Sequence, residues 1–173
     1  MKKDEIKKYG WIILLVVALI IVDQSVKIII QQKLELQNIT IIARILKLNY
    51  IANEGAFCIN QDFITTLITE AIIIAMVLRF MIVQRDKMYK ITQISLSLIL
   101  AGGIGNFLDR IFKGEVIKFI DISLIIPNFP TFNLADIFLI IGFIVFAITV
   151  AVNFFSLRKG EEEIQNEQTN NSK

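Results

Sequence analysis

Carboxylate, amide and amine side chains interrupt the long apolar runs of this sequence at spacings of three or four residues. Residues so spaced lie on one face of a helix and can contact one another. A charged group inside an apolar run is energetically costly, so it is expected to have a partner or a function. The spaced groups are Asp23 with Lys27, Asn106 with Asp109 and Arg110, and Asn133 with Asp136.

The composition limits what chemistry these groups can perform. The chain has 173 residues, of which 55% are apolar, and it contains no histidine and one cysteine, Cys58. Catalytic triads with histidine and histidine-ligated metals are therefore excluded, and a single cysteine cannot build a zinc site. We expect no metal and no cofactor. The net charge of +2 without a basic patch gives no indication of nucleic-acid binding.

The apolar residues are grouped into four runs of about the ~20 residues that a helix needs to cross a bilayer. With a mean hydropathy of +0.65, the chain is predicted to be an all-α membrane protein with four transmembrane helices. A polar tail, 160–173, follows a single domain, 1–159, and its few apolar residues predict disorder. The predicted spans are 10–30, 63–83, 91–109 and 136–157.

Basic residues predict the orientation, because they are enriched on the cytoplasmic side. They precede span one, join spans two and three, and follow span four, so both termini are expected in the cytoplasm. The segments 31–62 and 110–135 then face outward. Partial alternation in 31–62 predicts a small extracytoplasmic β-element of short strands, with a turn at Asn53-Glu54-Gly55. The basic residues are Lys2, Lys3, Lys7, Lys8, Arg85, Lys87, Lys90, Arg158 and Lys159.

This orientation brings the polar groups of three spans to a similar depth near the outer surface. Simpler interpretations remain open for each group taken alone. Asp23 and Lys27 could only neutralise one another, and Asn133 could only cap the fourth span, with Asp136 favoured by the helix dipole. Glu70, in the second span, has no evident cluster and is expected to extend to the membrane surface.

Four segments together resemble the lipoprotein signal peptidases, also called signal peptidase II. They are "DQSVK" in span one, "NEGAF" in the first outer segment, "GGIGNFLDRIFKGEV" at the end of span three and "FPTFNLADI" at the start of span four. The resemblance covers nearly the whole chain, with the motifs in the same order and at matching spacing.

The resemblance implies a monomeric aspartic endopeptidase of the bacterial inner membrane. Such enzymes remove the signal peptide from diacylglyceryl-modified prolipoproteins, in contact with membrane lipid, at the lipid-modified cysteine. One catalytic aspartate corresponds to Asp136. Supporting or substrate-binding roles are implied for Asp23, Lys27, Asn53, Gly55, Asn106, Arg110, Asn133 and Ala135.

The second catalytic aspartate of the family lies in a V-x-D-F-I motif, and here that segment reads "VIKFI". Lys118 therefore stands at the aspartate position, and Asp121 follows three residues later. Aspartic peptidases use two carboxylates that share a proton, one as base and one as acid. An ammonium group beside Asp136 would hold it ionised and would not replace the acid.

Several functions remain open from the sequence. Asp121 could supply the missing carboxylate if the segment is helical, Lys118 could act as a base, or the chain could bind lipoprotein precursors without cleaving them. A small proton-coupled exporter that uses Asp23 as its proton site is a further class.

Overall fold

The computed structural model describes residues 3–34, 39–42, 46–53 and 62–171. Four helices and three short strands make up these residues, so the predicted combination of transmembrane helices with a small β-element is confirmed. The elements are α1 (Lys3–Leu34), β1 (Ile39–Ile42), β2 (Leu46–Asn53), α2 (Phe63–Gln84), α3 (Lys90–Lys113), β3 (Val116–Asp121) and α4 (Leu134–Asn171).

Each helix contains a segment that is long and apolar enough to cross a membrane, which confirms the four predicted spans. Two thirds of the apolar window of α3 is buried, against 6–11% in the other three helices. α3 is therefore the central helix, and the outward faces of the others are apolar because they meet lipid. The four segments are Tyr9–Gln32, Phe63–Gln84, Lys90–Lys113 and Leu134–Ser156.

Glycines allow α3 and α4 to pack closely. A Cβ atom added at Gly102 would lie 2.4 Å from the carbonyl oxygen of Ala135, and one at Gly142 would lie 2.8 Å from the carbonyl oxygen of Ser95. Side chains at either position would force the helices apart. The glycines of "GGIG" thus bring the start of α4 against α3, as small residues do in membrane helix pairs.

α3 ends at a glycine in the left-handed conformation. Gly114 has φ of 78° and donates its N–H to the carbonyl oxygen of Arg110, at 3.0 Å. This is a common way to end a helix, because glycine carries no Cβ to clash there. The helix extends four residues beyond the predicted end at 109, and β3 begins two residues after the glycine.

The three strands form one antiparallel sheet in the order β1-β2-β3. β2 pairs with β3 so that Asn53 faces Val116 and Ile51 faces Lys118. Strands were predicted in segment 31–62, and both are present. Asn53 is the last residue of β2, whereas Gly55, the other residue of the predicted turn, lies outside the described residues.

The free edge of β3 positions the start of α4. The backbone of Phe132 exchanges hydrogen bonds with Ile120, at 2.8 and 3.0 Å. Asn133 follows directly, and its side-chain amide donates to the carbonyl oxygen of Ile117, at 3.0 Å. The strand thereby fixes where α4 begins relative to the sheet.

The backbone of α4 remains helical to Asn171. The prediction of disorder for 160–173 therefore differs from the helical backbone of 160–171. Glutamate and glutamine, which are common there, lose little rotamer freedom in a helix. Since the segment extends an existing helix, it needs no new nucleation.

Candidate active site

One group of charged side chains is sealed between α1 and α3. The ammonium group of Lys27 lies 2.7 Å from Asp23 Oδ2 and 2.7 Å from Asp109 Oδ2, and all three side chains are fully buried. Lys113 adds a second cation, 2.9 Å from Asp109 Oδ1. We call Asp23, Lys27, Asp109 and Lys113 the closed cluster. The sequence-based pairing of Asp23 with Lys27 is thus present, within a larger network.

The closed cluster also ties α1 to the first turn of α4. Asp23 Oδ1 accepts a hydrogen bond from the backbone N–H of Ala135, at 2.9 Å. The neighbouring Gln24 donates to the carbonyl oxygen of Gly105, at 3.0 Å. Asp23 therefore bonds Lys27 with one oxygen and the helix start with the other, so it fixes the position of α4.

Asn133 and Asp136 form a reciprocal cap at the start of α4. Asn133 Oδ1 accepts from the N–H of Asp136 at 2.8 Å, and Asp136 Oδ2 accepts from the N–H of Asn133 at 3.1 Å. This is a capping box with an asparagine and an aspartate. The predicted capping role of Asn133 is therefore present, and it holds the Asp136 carboxylate in one orientation.

Asn106 connects the closed cluster to this cap. Its Oδ1 accepts from Lys27 Nζ at 3.1 Å and from Asn133 Nδ2 at 2.9 Å. Its own Nδ2 donates to Asp136 Oδ1, also at 2.9 Å. Both oxygens of Asp136 thus accept hydrogen bonds from neutral N–H donors, and these bonds fix the orientation of the carboxylate.

A cavity of about 460 Å³ lies between α2, α3 and α4 and reaches Asp136 at its polar end. Four ionisable side chains line that end, Glu70, Arg110, Lys118 and Asp136, together with Asn106. We call these four the cavity cluster. The remaining lining is mostly apolar and comprises Ile73, Ile74, Val77, Ile99, Leu100, Leu139 and Phe143, with Thr66, Thr69 and Gly103.

β3 brings Lys118 to the cavity but not Asp121. Lys118 is 2% exposed and lines the cavity. Asp121 does not line it, and its Oδ1 accepts from the N–H of Ser123 at 2.8 Å. Because alternate residues of a strand face opposite sides, positions three apart point in opposite directions. The segment is a strand, so the helical geometry that would have returned Asp121 to the same face is not present.

Glu70 was misassigned from the sequence. Instead of extending to the membrane surface, its Oε2 accepts a hydrogen bond from Arg110 Nη1 at 2.8 Å, and the side chain lines the cavity. Its partner lies on α3, so no spacing along the chain could have revealed the pair. The one available signal was the cost of an acidic residue within an apolar span.

The chain is similar to known proteins over most of its length. Residues 15–152 match the family model described as signal peptidase (SPase) II. Proteins named lipoprotein signal peptidase from Staphylococcus aureus strains JH9 and Newman are 36% identical over 166 residues, covering 92% of this chain and 99% of theirs.

Two solved structures, both described as bacterial membrane enzymes, have the same fold. The 1.9 Å structure superposes with a TM-score of 0.71 at 35% identity, covering 82% of this chain and 92% of that chain. The 2.3 Å structure gives a TM-score of 0.71 at 31% identity, covering 84% and 90%.

Proposed function

Because the chain belongs to the signal peptidase II family, we propose that it removes signal peptides from prolipoproteins by hydrolysing the bond before the lipid-modified cysteine. One observation carries this proposal. The oriented carboxylate of Asp136 stands at the polar end of a cavity whose other walls are apolar and lie within membrane-spanning helices. A signal peptide has an apolar segment that such walls accommodate, followed by the bond to be cleaved.

The dimensions of the cavity fit this substrate. Along α2 the lining runs from Thr66 to Val77, which corresponds to roughly 16 Å at ~1.5 Å per residue. Beyond Val77, the rings of Phe80 and Phe146 meet edge to face, with centroids 6.2 Å apart, and join α2 to α4. The apolar segment of a signal peptide would lie between these helices with its cleavage site toward the sheet.

Asp136 and Lys118 divide the proposed chemistry between them. Asp136 takes a proton from water as the water oxygen bonds to the carbonyl carbon. The carbonyl oxygen then carries negative charge, which the nearby ammonium of Lys118 offsets. When the C–N bond breaks, Lys118 gives a proton to the leaving nitrogen, and the proton held by Asp136 passes to the lysine amine. Lys118 is assigned this part, rather than Asp121, because it lines the cavity.

Binding without cleavage is the second candidate function, and Lys118 favours it too. A lysine ammonium group is a much weaker acid than a carboxylic acid. A carboxyl at this position would share a proton with Asp136, whereas the lysine cannot. The cavity would then bind a lipoprotein precursor and release it uncleaved.

The position of Asp23 does not fit a proton-coupled exporter. Asp23 would have to exchange protons with the two sides of the membrane. Its side chain is instead fully buried, with one oxygen on Lys27 and the other on the N–H of Ala135. A carboxylate fixed in this way is suited to holding helices together.

We also propose that the sheet end of the bundle faces outward from the bacterial inner membrane, with both termini in the cytoplasm. The support is the positive-inside rule applied to the basic residues at the opposite helix ends. The protein would act as a monomer, with the acyl chains of its substrate in contact with membrane lipid.

A cleavage assay with purified prolipoprotein tests the proposal. The unaltered chain should release the signal peptide. Asp136→Asn should lower kcat by about 10²–10⁴-fold, the usual contribution of a general base. Asp121→Asn is the matched control, an aspartate outside the cavity, and should leave the rate within about twofold, because asparagine keeps an oxygen that can accept from the N–H of Ser123.

Three outcomes discriminate the candidates. An unaltered chain without activity that gains it through Lys118→Asp would establish binding without cleavage. Loss of activity in Asp121→Asn, with the protein still folded, would assign the second role to Asp121. Activity retained in Asp136→Asn would exclude the mechanism itself.

A further inference from the structure

We propose that the first turns of α2 carry a subsite, formed by Thr66 and Glu70, that hydrogen-bonds the backbone of the substrate opposite Asp136. This inference rests on the proposed function, because it assigns a ligand to the same cavity. Neither residue belongs to the four motifs on which the family resemblance depends. The two lie four residues apart, and therefore on one face of α2, and both line the cavity.

Thr66 carries a hydroxyl group that bonds none of the residues that the structure describes. Its side chain is 4% exposed, and among the described residues its Oγ1 has no hydrogen-bond partner. A buried hydroxyl without a partner is destabilising, by roughly 1–3 kcal/mol in proteins. An orphaned hydroxyl on a cavity wall is therefore best explained by a ligand that bonds it.

Thr69, in the same helix, provides a comparison for the hydroxyl group of Thr66. It also lines the cavity, but its Oγ1 donates to the carbonyl oxygen of Thr65 at 2.7 Å, one turn earlier in the same helix. Threonines in helices commonly satisfy themselves in this way. Thr66, which is more deeply buried, makes no such bond, so its hydroxyl is left for a molecule in the cavity.

Glu70 supplies a second acceptor one turn further along. Arg110 Nη1 bonds its Oε2 at 2.8 Å, and a carboxylate has capacity for more hydrogen bonds than this one. The arginine also holds the carboxylate in place, because charge-assisted bonds of this kind are strong and directional. Glu70 therefore presents a fixed acceptor to the cavity, on the same helix face as Thr66.

The chemistry of these acceptors selects a peptide backbone as the ligand. A helical signal segment satisfies its own N–H and C=O groups, but the residues around a bond to be cleaved must be extended. Their backbone groups then need partners from the protein, since lipid provides none. Thr66 and Glu70 can each accept a hydrogen bond from an N–H of the substrate. With Asn106 and Asp136 on the opposite wall, the extended segment would be bonded from both sides.

The test uses the full-length chain and a synthetic lipopeptide that spans the cleavage site. Thr66→Val removes the hydroxyl at nearly constant volume, and should raise KM by about 2–10-fold at unchanged kcat, the range for one hydrogen bond. Thr66→Ser retains the hydroxyl and should restore KM to within about twofold. Thr65→Val is the matched control, a threonine on the same turn outside the cavity, and should leave both constants unchanged.

A series of modified substrates tests whether the bonding partner of Thr66 is the peptide backbone. In a series of lipopeptides, each amide near the cleavage site is replaced in turn by an ester, which removes one N–H. At one position the ester should abolish the KM difference between the unaltered chain and Thr66→Val, because the bond is already lost. The same comparison with Glu70→Gln should select a different position, closer to the apolar segment.

The proposal is overturned if Thr66→Val leaves KM unchanged, or if its effect persists with every ester. Measuring the Kd of the same peptides separates this result from failure of the proposed function. A chain that cleaves nothing but retains the ester-specific loss in Kd refutes the catalysis and supports the subsite. A chain that does not bind the lipopeptide refutes both.

Discussion

The closed cluster and the cavity cluster are built from the same kinds of side chain, yet only the cavity cluster lines the cavity between α2, α3 and α4. Lys27 is fully buried and contacts two carboxylates and one amide. Asp136 is also buried, but it lines a cavity large enough for a substrate. Position relative to that cavity, rather than residue type or burial, separates the charges that hold the helices from those available to a ligand.

Asn106 explains how the two clusters depend on each other. Its carbonyl oxygen bonds Lys27 and its amide bonds Asp136. The orientation of the Asp136 carboxylate is therefore set by a side chain whose own orientation is set by the closed cluster. The closed cluster thus supports the Asp136 carboxylate without lining the cavity itself.

The largest effect is expected from breaking the closed cluster. Lys27→Met leaves Asp23 buried without its cation, and removing one partner of a buried ion pair typically costs about 3–5 kcal/mol. Thermal unfolding in detergent should show a large loss of stability. Lys113→Met is the control, because Lys113 is 24% exposed and its loss leaves Lys27 in place. Equal melting temperatures for the two variants would contradict the proposed supporting role.

The sequence was sufficient to predict the elements of this support but not the pairs that cross between helices. Periodic spacing placed Asp23 with Lys27, and Asn133 with Asp136, because both pairs lie within one helix turn. Glu70 escaped detection because its partner, Arg110, is 40 positions away. Which faces of two helices meet depends on packing across the whole bundle. The local sequence pattern of one helix carries no information about that packing.

The same distinction applies to the strand that carries Lys118. A six-residue segment with few polar groups fits either a strand or a helix, so its sequence left the position of Asp121 open. Pairing with β2 decides the matter in the structure. The end of α3 at Gly114 could have been anticipated, since glycine commonly follows the last turn of a helix.

A smaller loss of stability should follow from crowding the closed cluster without removing a charge. In Gly105→Ala the new Cβ would lie 2.8 Å from Asp23 Oδ2 and 3.3 Å from Ala135 Cβ. Overpacking of this kind costs about 1–3 kcal/mol, measurable in the same unfolding assay. Gly10→Ala, where a Cβ meets nothing within 4 Å, should not destabilise. A Gly105→Ala protein as stable as the unaltered chain would mean that α1 and α3 can separate freely.

In the cavity cluster, changes of charge should alter kcat/KM. The cluster contains two acidic side chains, Glu70 and Asp136, and two basic ones, Arg110 and Lys118. Lys118→Asp alone would place three carboxylates around one arginine, so the loss of kcat/KM caused by Glu70→Gln should be smaller in that background than in the unaltered chain. Neighbouring groups usually couple by about 0.5–3 kcal/mol. Additive effects on kcat/KM in the unaltered chain, the two single variants and the double variant would show that Glu70 and position 118 do not interact.

The smallest effect belongs to a carboxylate outside both clusters. Asp62 caps α2, with its Oδ2 accepting from the N–H of Thr65 at 3.2 Å. Hydrogen bonds from the side chain and backbone of Thr65 lower the pKa of Asp62 below its ordinary value of 3.8. Since the folded protein favours the ionised form, its contribution to stability is present above about pH 4. That contribution is lost as the pH falls through the lowered pKa of the folded state.

Asp62→Asn provides the comparison, because asparagine caps helices about as well as aspartate but does not titrate. The two proteins should have similar melting temperatures at neutral pH, and the unaltered chain should lose slightly more stability below pH 4. A difference that is already present at pH 7 and constant on acidification would show that ionisation of Asp62 does not contribute to the cap. Because solvent screens the charge of Asp62, this loss of stability should be smaller than the losses expected from variants in the two buried clusters.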